Sequence, residues 1–233
     1  LKQKNNKIDF ANLLEMIAKK NPEMRIRFST SNPQDMKDAV LKTIAKYENI
    51  CNYIHLPVQS GSSKILQLMN RGHTREWYLD RIKSINKHIP GCGLSSDFIT
   101  GFCNEDEQDH KLTLSLMEQV KYNFSYMFYY SERPNTFAQR KLIDNVPLHI
   151  KKQRLQEIID LQQHHSLLRN QKNIGKKYEV LIEGISKKSN NDFFGRTTHN
   201  TVVVFKKEKH NIGDLINVRI NECTSATLKG EII

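Results

Sequence analysis

No run of about 18 consecutive apolar residues occurs in this chain, so it offers no membrane-spanning helix. Its first ten residues, LKQKNNKIDF, lack the apolar core of a secretory signal. Cysteine is scarce. Cys51, Cys92, Cys103 and Cys223 stand far apart, with no C-x-x-C pair and no histidine cluster around them. That argues against a zinc ribbon or a dithiol redox motif, and reads as reduced thiols in a cytoplasmic protein. Cys51 and Cys92 adjoin predicted strands and read as packing residues. An initial methionine is missing, as it would be in a piece of a longer protein. Acidic residues are in deficit: 36 Lys and Arg stand against 25 Asp and Glu, a net charge of +11. Such an excess points to a polyanionic partner, nucleic acid first. With 233 residues, 38% of them hydrophobic, the chain can still build one large domain, or one large and one small.

The run His55–Thr74, HLPVQSGSSKILQLMNRGHT, carries the most chemistry. An apolar strand, Tyr53 to Val58, turns at once into Gln59-Ser60-Gly61-Ser62-Ser63 and then into a helix over 64–70. In α/β barrels such turns present ligand groups at the C-terminal edge of the strands. Ser62 or Ser63 is expected to cap the helix, leaving N–H groups that suit an anion such as a carboxylate.

The alternation recurs along the chain. Apolar spacing predicts helices over 9–20, 34–48 and 106–120, with the helices of the opening run continuing to about residue 88. Strands are expected over 24–28, 53–58, 91–102 and 124–130, each ending in a polar cluster. Four such units imply a parallel α/β sheet with its ligand edge on one side. Four strands are too few to close a barrel, so a half-barrel is expected. Residues 148–172 read as one long amphipathic helix, with Leu148, Leu155, Ile158, Ile159, Leu161 and Leu168 on its buried side. His164 and His165 are adjacent, point to different sides of that helix, and do not read as metal ligands.

From about residue 174 the pattern changes to five short strands, over 178–184, 194–197, 201–205, 215–220 and 227–232, as in a small OB-like barrel. This part has ten Lys and Arg against seven Asp and Glu. Lys187-Lys188 and Lys206-Lys207 are placed in loops between strands, where such barrels grip RNA. The plain alternative is ordinary solvated loop charge. The division is therefore 1–147, a linking helix over 148–173, and 174–233.

Four motifs in this order, HLPVQSGS, the run with Met69, Arg71 and Thr74, SSDFITGF and YYSERPNT, resemble the radical-SAM methylthiotransferases, in particular the tRNA branch. The resemblance runs from about residue 9 to the end. It implies an α/β fold: the C-terminal part of a partial TIM-type (β/α)6 barrel, followed by a small all-β OB-like TRAM barrel that binds RNA. It also implies an activity, addition of a methylthio group to C2 of N6-isopentenyladenosine at tRNA position 37, through a radical made from S-adenosylmethionine (SAM). Two 4Fe–4S clusters would serve the full-length protein. Their cysteine ligands are not in this chain, which alone is expected to be inactive and to hold no metal.

By position, the resemblance assigns SAM binding to Gln59, Arg71 and Asp97, with Ser29 and Ser31 adding hydrogen bonds and Ile99, Gly101 and Phe102 flanking the adenine. Tyr130 and Arg133 would face substrate or SAM. Lys187, Lys188, Arg196, Lys206 and Lys207 would meet tRNA at its anticodon stem-loop, with the protein a monomer. The plain alternatives are a rim salt bridge between Arg71 and Asp97, and core packing for Phe102. The family usually has Gly-Phe-Pro-Gly-Glu where this chain has Gly101-Phe102-Cys103-Asn104-Glu105, and Arg-Pro-Gly-Thr where it has Arg133-Pro134-Asn135-Thr136. Asparagine tolerates positive φ, so both turns are expected to survive. Cys103 stands alone and reads as incidental. Other readings are a sister enzyme acting on a ribosomal protein or on N6-threonylcarbamoyladenosine, and a non-enzymatic RNA-binding half-barrel with a TRAM domain.

Overall fold

Helices and strands alternate through the first part of the chain in the computed structural model, which describes residues 8–29 and 32–233. Asp9 opens α1 (Phe10–Lys20) with a capping box shared with Asn12, and α2 (Asp38–Lys46) packs against it through Val40, Leu41 and Ile44. Then come β1 (Tyr53–His55), α3 (Ser63–Leu68), α4 (Arg75–His88), β2 (Gly93–Thr100), α5 (Glu107–Val120) and β3 (Phe124–Tyr129). The three strands are parallel and ordered β1-β2-β3, each joined to the next through helix. Buried Ile54, Leu56, Val58, Leu94 and Phe98 pack against Tyr78, Ile82 and Ile85 of α4 and Leu116 and Met117 of α5.

The strand expected over 24–28 is reduced to a single parallel bridge, Ile26 to Ile50. Only Ile26 uses both its amide and its carbonyl, on Asn49 and Cys51. Its neighbours Arg25 and Arg27 send their side chains away, to Glu179 and Glu183. The helix expected over 64–70 is α3, and the helix expected on to about 88 is α4; between them Asn70 takes a left-handed φ of 55° and begins the turn.

A short α6 (Phe137–Lys141) leads to α7 (Leu148–Gln171), which packs on β3. The apolar stripe accounts for the buried side of α7 only in part: Ile158 is buried, and Leu155 and Leu161 pack against the core. Leu148 and Leu168 are exposed, and the buried face runs through Lys151, Arg154, Ile158, Gln162, His165, Ser166 and Asn170. These also recur at three- and four-residue spacing, but most are polar. They face carbonyls and carboxylates around the sheet, so partners rather than hydropathy settle the helix's rotation: Gln162 donates to the Tyr122 carbonyl and Ser166 to that of Asn123. His165 is buried against Glu118 while His164 is exposed.

The chain ends in a closed barrel: β4 (Lys177–Ile185), β5 (Asp192–Arg196), β6 (Val202–Lys206), β7 (Leu215–Cys223) and β8 (Leu228–Ile232), in the order β4-β5-β6-β8-β7. Alternate residues point inward, among them Val180, Ile182, Phe193, Val203, Phe205, Val218 and Ile220, and closure leaves no free strand edge. Lys206 is the last residue of β6 rather than part of a loop, and pairs with Asp192 at 3.0 Å.

The barrel is fastened to the root of the sheet. Arg25 donates to the Glu179 carboxylate and the Arg196 carbonyl, both at 2.7 Å. Arg27 donates to Glu183 at 2.8 Å and to the Thr197 carbonyl at 3.0 Å. A side chain at Gly93, the first residue of β2, would stand 2.6 Å from the His199 carbonyl oxygen. Asn170 of α7 donates to the carbonyl of Thr224 in the β7–β8 turn.

Candidate functional site

The C-terminal ends of the three strands open onto one cavity of about 520 Å³. Its wall includes Gln59 after β1, Ile99 and Phe102 at the end of β2, and Tyr130 and Arg133 after β3, with Met69 and Arg71 closing one side.

Gln59 sits in left-handed backbone, φ 76°, yet both its main-chain groups are used: its N–H donates to the Asp97 carbonyl and its carbonyl accepts from Ile99, each at 2.9 Å. The strained turn is thus pinned to β2, and the buried side chain makes no hydrogen bond among the described residues. Strain of this kind in a residue other than glycine gathers at ligand sites. Behind it, Gly61 lies against the backbone of α5 at Leu112 and Thr113, so no side chain fits there.

The helix cap differs from expectation. Ser62 does cap α3, accepting from the Ile65 N–H, but it is buried and donates to Asp109 at 2.7 Å. Lys64 closes over the same carboxylate at 2.6 Å. The start of this six-residue helix is therefore filled by the chain's own groups and offers no open anion site.

Arg71 reaches the cavity beyond the end of α3 and is half-buried. Its guanidinium makes no hydrogen bond or ion pair among the described residues. Burial lowers its pKa, and the charge of Asp97 opposes that shift without touching it. A rim salt bridge between these two does not form. Asp97 instead lies 3.4 Å from His55 Nε2, and His55 Nδ1 is 2.7 Å from the Ser95 hydroxyl. His73 packs behind Arg71, where burial first and then the Arg71 charge push its pKa down.

Phe102 is buried edge-on against Tyr130, ring centroids 4.7 Å apart. The Tyr130 hydroxyl is buried without a hydrogen-bond partner. Burial raises its pKa to about 12, helped by the Cys103 thiol beside it. Cys103 is itself buried. Asn104 and Asn135 take φ of 61° and 65°, so asparagine carries both turns in place of glycine as expected.

Three expected residues, Asp97, Gly101 and Ser29, do not line this cavity. At Gly101 φ is 67°, and the space a Cβ would take is filled by the stem of Lys151, so the close approach there is to α7. Ser29 lines a separate cavity with Asp9 and Asp35. Ser31 lies outside the described residues. Phe128 and Phe137, both exposed, line the cavity and were missed. For Phe128 the signal was available, because it stands two residues before Tyr130 and strand alternation puts the two on one face.

On the barrel, Lys187 and Lys188 are exposed in the β4–β5 turn. Arg196 is engaged with Glu183, which also holds Arg27. Lys207 lies over the Phe193 ring, 5.4 Å from its centroid.

Residues 5–117 match the model of the Radical SAM superfamily, and residues 171–233 match the TRAM domain. A tRNA-2-methylthio-N(6)-dimethylallyladenosine synthase of Christiangramia forsetii is 60% identical over 99% of this chain and 48% of its own length. One of Karelsulcia muelleri is 60% identical over 97% of this chain and 50% of its own length. The chain thus carries a Radical SAM domain and a TRAM domain, and nearly its whole length is similar to these synthases. It spans about half the length of these curated relatives. Among solved structures, coproporphyrinogen III oxidase from Escherichia coli is 16% identical over 72% of this chain and 45% of its own, with a TM-score of 0.47.

A radical-SAM chain uses SAM and an iron–sulfur cluster, and the residues present fit the first only. The unpartnered groups of Gln59, Arg71 and Tyr130 over the apolar Ile99 and Phe102 suit a molecule with a charged polar end and a flat ring. No group of three or more metal-binding side chains gathers among the described residues, and Cys51, Cys92 and Cys103 are each buried singly.

Proposed function

We propose that this chain is the SAM-binding and RNA-binding part of a tRNA methylthiotransferase. The reaction is addition of a methylthio group to C2 of N6-isopentenyladenosine-37, with the tRNA anticodon stem-loop as substrate, a monomeric protein and a cytoplasmic setting. The observation that carries the reading is the cavity at the strand ends, where a strained Gln59, an unpaired Arg71 and an unpartnered Tyr130 hydroxyl face apolar walls.

When bound, SAM supplies a radical-forming sulfonium, and two 4Fe–4S clusters with ligands outside this chain supply electrons and sulfur. The chain's own residues bind and orient. Arg71 pairs with the methionyl carboxylate or ribose oxygens, and its lack of a competing partner leaves its donors free. Gln59 offers both a donor and an acceptor, and its backbone bonds to β2 fix it before SAM arrives. Asp97 accepts from ribose hydroxyls, while Ile99 and Phe102 pack on the adenine and exclude water. Tyr130 and Arg133 face the substrate side of the mouth.

The test uses full-length protein reconstituted with iron and sulfide, then given SAM and tRNA that carries isopentenyladenosine. The expected result is a methylthio nucleoside, read by mass spectrometry of the digested tRNA. Methylthiolation of a ribosomal protein or of N6-threonylcarbamoyladenosine, with none of this tRNA, would overturn the reading.

A further inference from the structure

A second cavity, of about 690 Å³, lies at the opposite end of the sheet, between the start of β2, the last turns of α7 and the barrel. Lys121, Arg169, Lys172 and Lys176 line it, and no Asp or Glu does. None of the four has a carboxylate partner among the described residues. Buried Lys151 and Arg154 are paired, with Asp144 and Glu105, whereas buried Arg75 is held by carbonyls and a hydroxyl alone. Close by, Glu118 is taken by His165 at 3.1 Å. Arg169 is held in place: Nε donates to the Lys121 carbonyl and Nη2 to that of Val120, at the carbonyl end of α5, which leaves Nη1 unused. Burial lowers the pKa of Arg169, and burial with the charge of Lys176 lowers that of His199. The positive charge around this cavity therefore stands uncompensated.

We propose that this cavity binds the phosphodiester backbone of RNA, so that the RNA grip lies at the junction of sheet and barrel rather than on the barrel loops alone. The proposal rests on the tRNA reading above and adds the place of contact. Three observations favour a chain of phosphates over a single free anion. The four cations come from three stretches, the end of α5, the end of α7 and the lead into β4, so they are distributed rather than focused. Three of the four, Lys121, Lys172 and Lys176, are exposed at the cavity's rim. Tyr178 meets His199 edge-on, at 79°, so no parallel ring pair is present to clamp a nucleotide base.

The test is a double variant, Lys172→Glu with Lys176→Glu, in this chain, with Lys187→Glu and Lys188→Glu as the loop control. Fluorescence anisotropy with labelled tRNA is read from about 50 to 200 mM salt. The cavity variant is expected to bind on the order of tenfold or more weakly at about 0.1 M salt, and to lose roughly 1.5 from the slope of log K against log salt. Its thermal midpoint should match wild type, because neither lysine makes an ion pair. Unchanged affinity and slope would overturn the proposal, as would a loss confined to the loop variant. Titration with ATP is the second arm: saturable ATP binding abolished in the cavity variant, with tRNA binding intact, would reassign the cavity to a free nucleotide. If wild type binds no tRNA at all, the tRNA reading falls as well. If wild type binds and the double variant binds equally, only this proposal falls.

Discussion

Lys151 and Gly101 share one space: the stem of the lysine fills the position that a Cβ on the glycine would occupy. The lysine's ammonium continues to Asp144 at 2.5 Å and lies 5.0 Å from the centre of the Tyr130 ring. A helix side chain thereby props up the loop that carries Phe102. Gly101→Ala adds both a clash and a disfavoured φ, and should cost about 1–3 kcal/mol of stability in urea unfolding. Lys151→Ala strands Asp144 and should also destabilise. The double variant should cost less than the sum, because removing the stem makes room for the methyl group. Strict additivity would show that the two do not compete for space.

Arg71→Ala separates binding from folding. The guanidinium has no partner to lose, so stability should change by less than about 0.5 kcal/mol. Affinity for SAM or sinefungin, by calorimetry, should fall roughly tenfold to a hundredfold, the worth of a charged hydrogen bond. Arg71→Lys should recover only part of this, since one ammonium cannot reproduce the fork. Full affinity in Arg71→Ala would remove Arg71 from the site.

Glu183 joins the two parts of the molecule by holding Arg27 on one oxygen and Arg196 on the other. Glu183→Gln would leave two partly buried guanidiniums facing a neutral amide. The expected cost is about 1–3 kcal/mol, together with faster proteolysis between α7 and the barrel. A thermal midpoint equal to wild type would mean that the pairs are solvent-screened and carry little.

Acid stability should report on Asp106, which caps α5 and pairs with Lys64 at 2.9 Å. The Lys64 hydrogen bond first, then the Asp109 N–H, hold its pKa down at about 2. The folded-state value lies below the unfolded one, so the contribution is complete above about 3.8 and is lost as pH falls through about 2. Because the pair is exposed, its size should be a few tenths of a kcal/mol. Asp106→Asn should flatten that part of the stability profile, and an unaltered profile would assign the acid limb to other carboxylates.

Sequence and structure agree most closely where local pattern and burial coincide. The alternating barrel strands, the extent of α5, and the asparagines at 104 and 135 were all legible, because short-range chemistry decides them. The cavity residues Gln59, Ile99, Phe102, Tyr130 and Arg133 were legible through the resemblance and stand near strand ends, whereas Arg71, beyond α3, was legible through the resemblance alone. The rotation of α7 was legible only in part, through Ile158, Leu155 and Leu161, since the rest of its buried face is chosen by distant carbonyls and carboxylates. The role of Gly101 was misplaced for the same reason: its neighbour Lys151 is 50 residues away along the chain. The cap of α3 read as open because Asp109, which fills it, arrives from another helix.

Seating the barrel on the first residue of β2 turns that strand into a ruler. Its eight residues, at about 3.3 Å each, set a span of roughly 25 Å from the barrel contact to the cavity mouth. Arg25, Arg27, Gly93 and Asn170 anchor one end, so the interval is set by backbone geometry rather than by a flexible tether. Under the proposed tRNA function, an RNA held at the barrel would have its reacting base measured out along the strand, and a change in the length of β2 would shift that base without touching a single cavity residue.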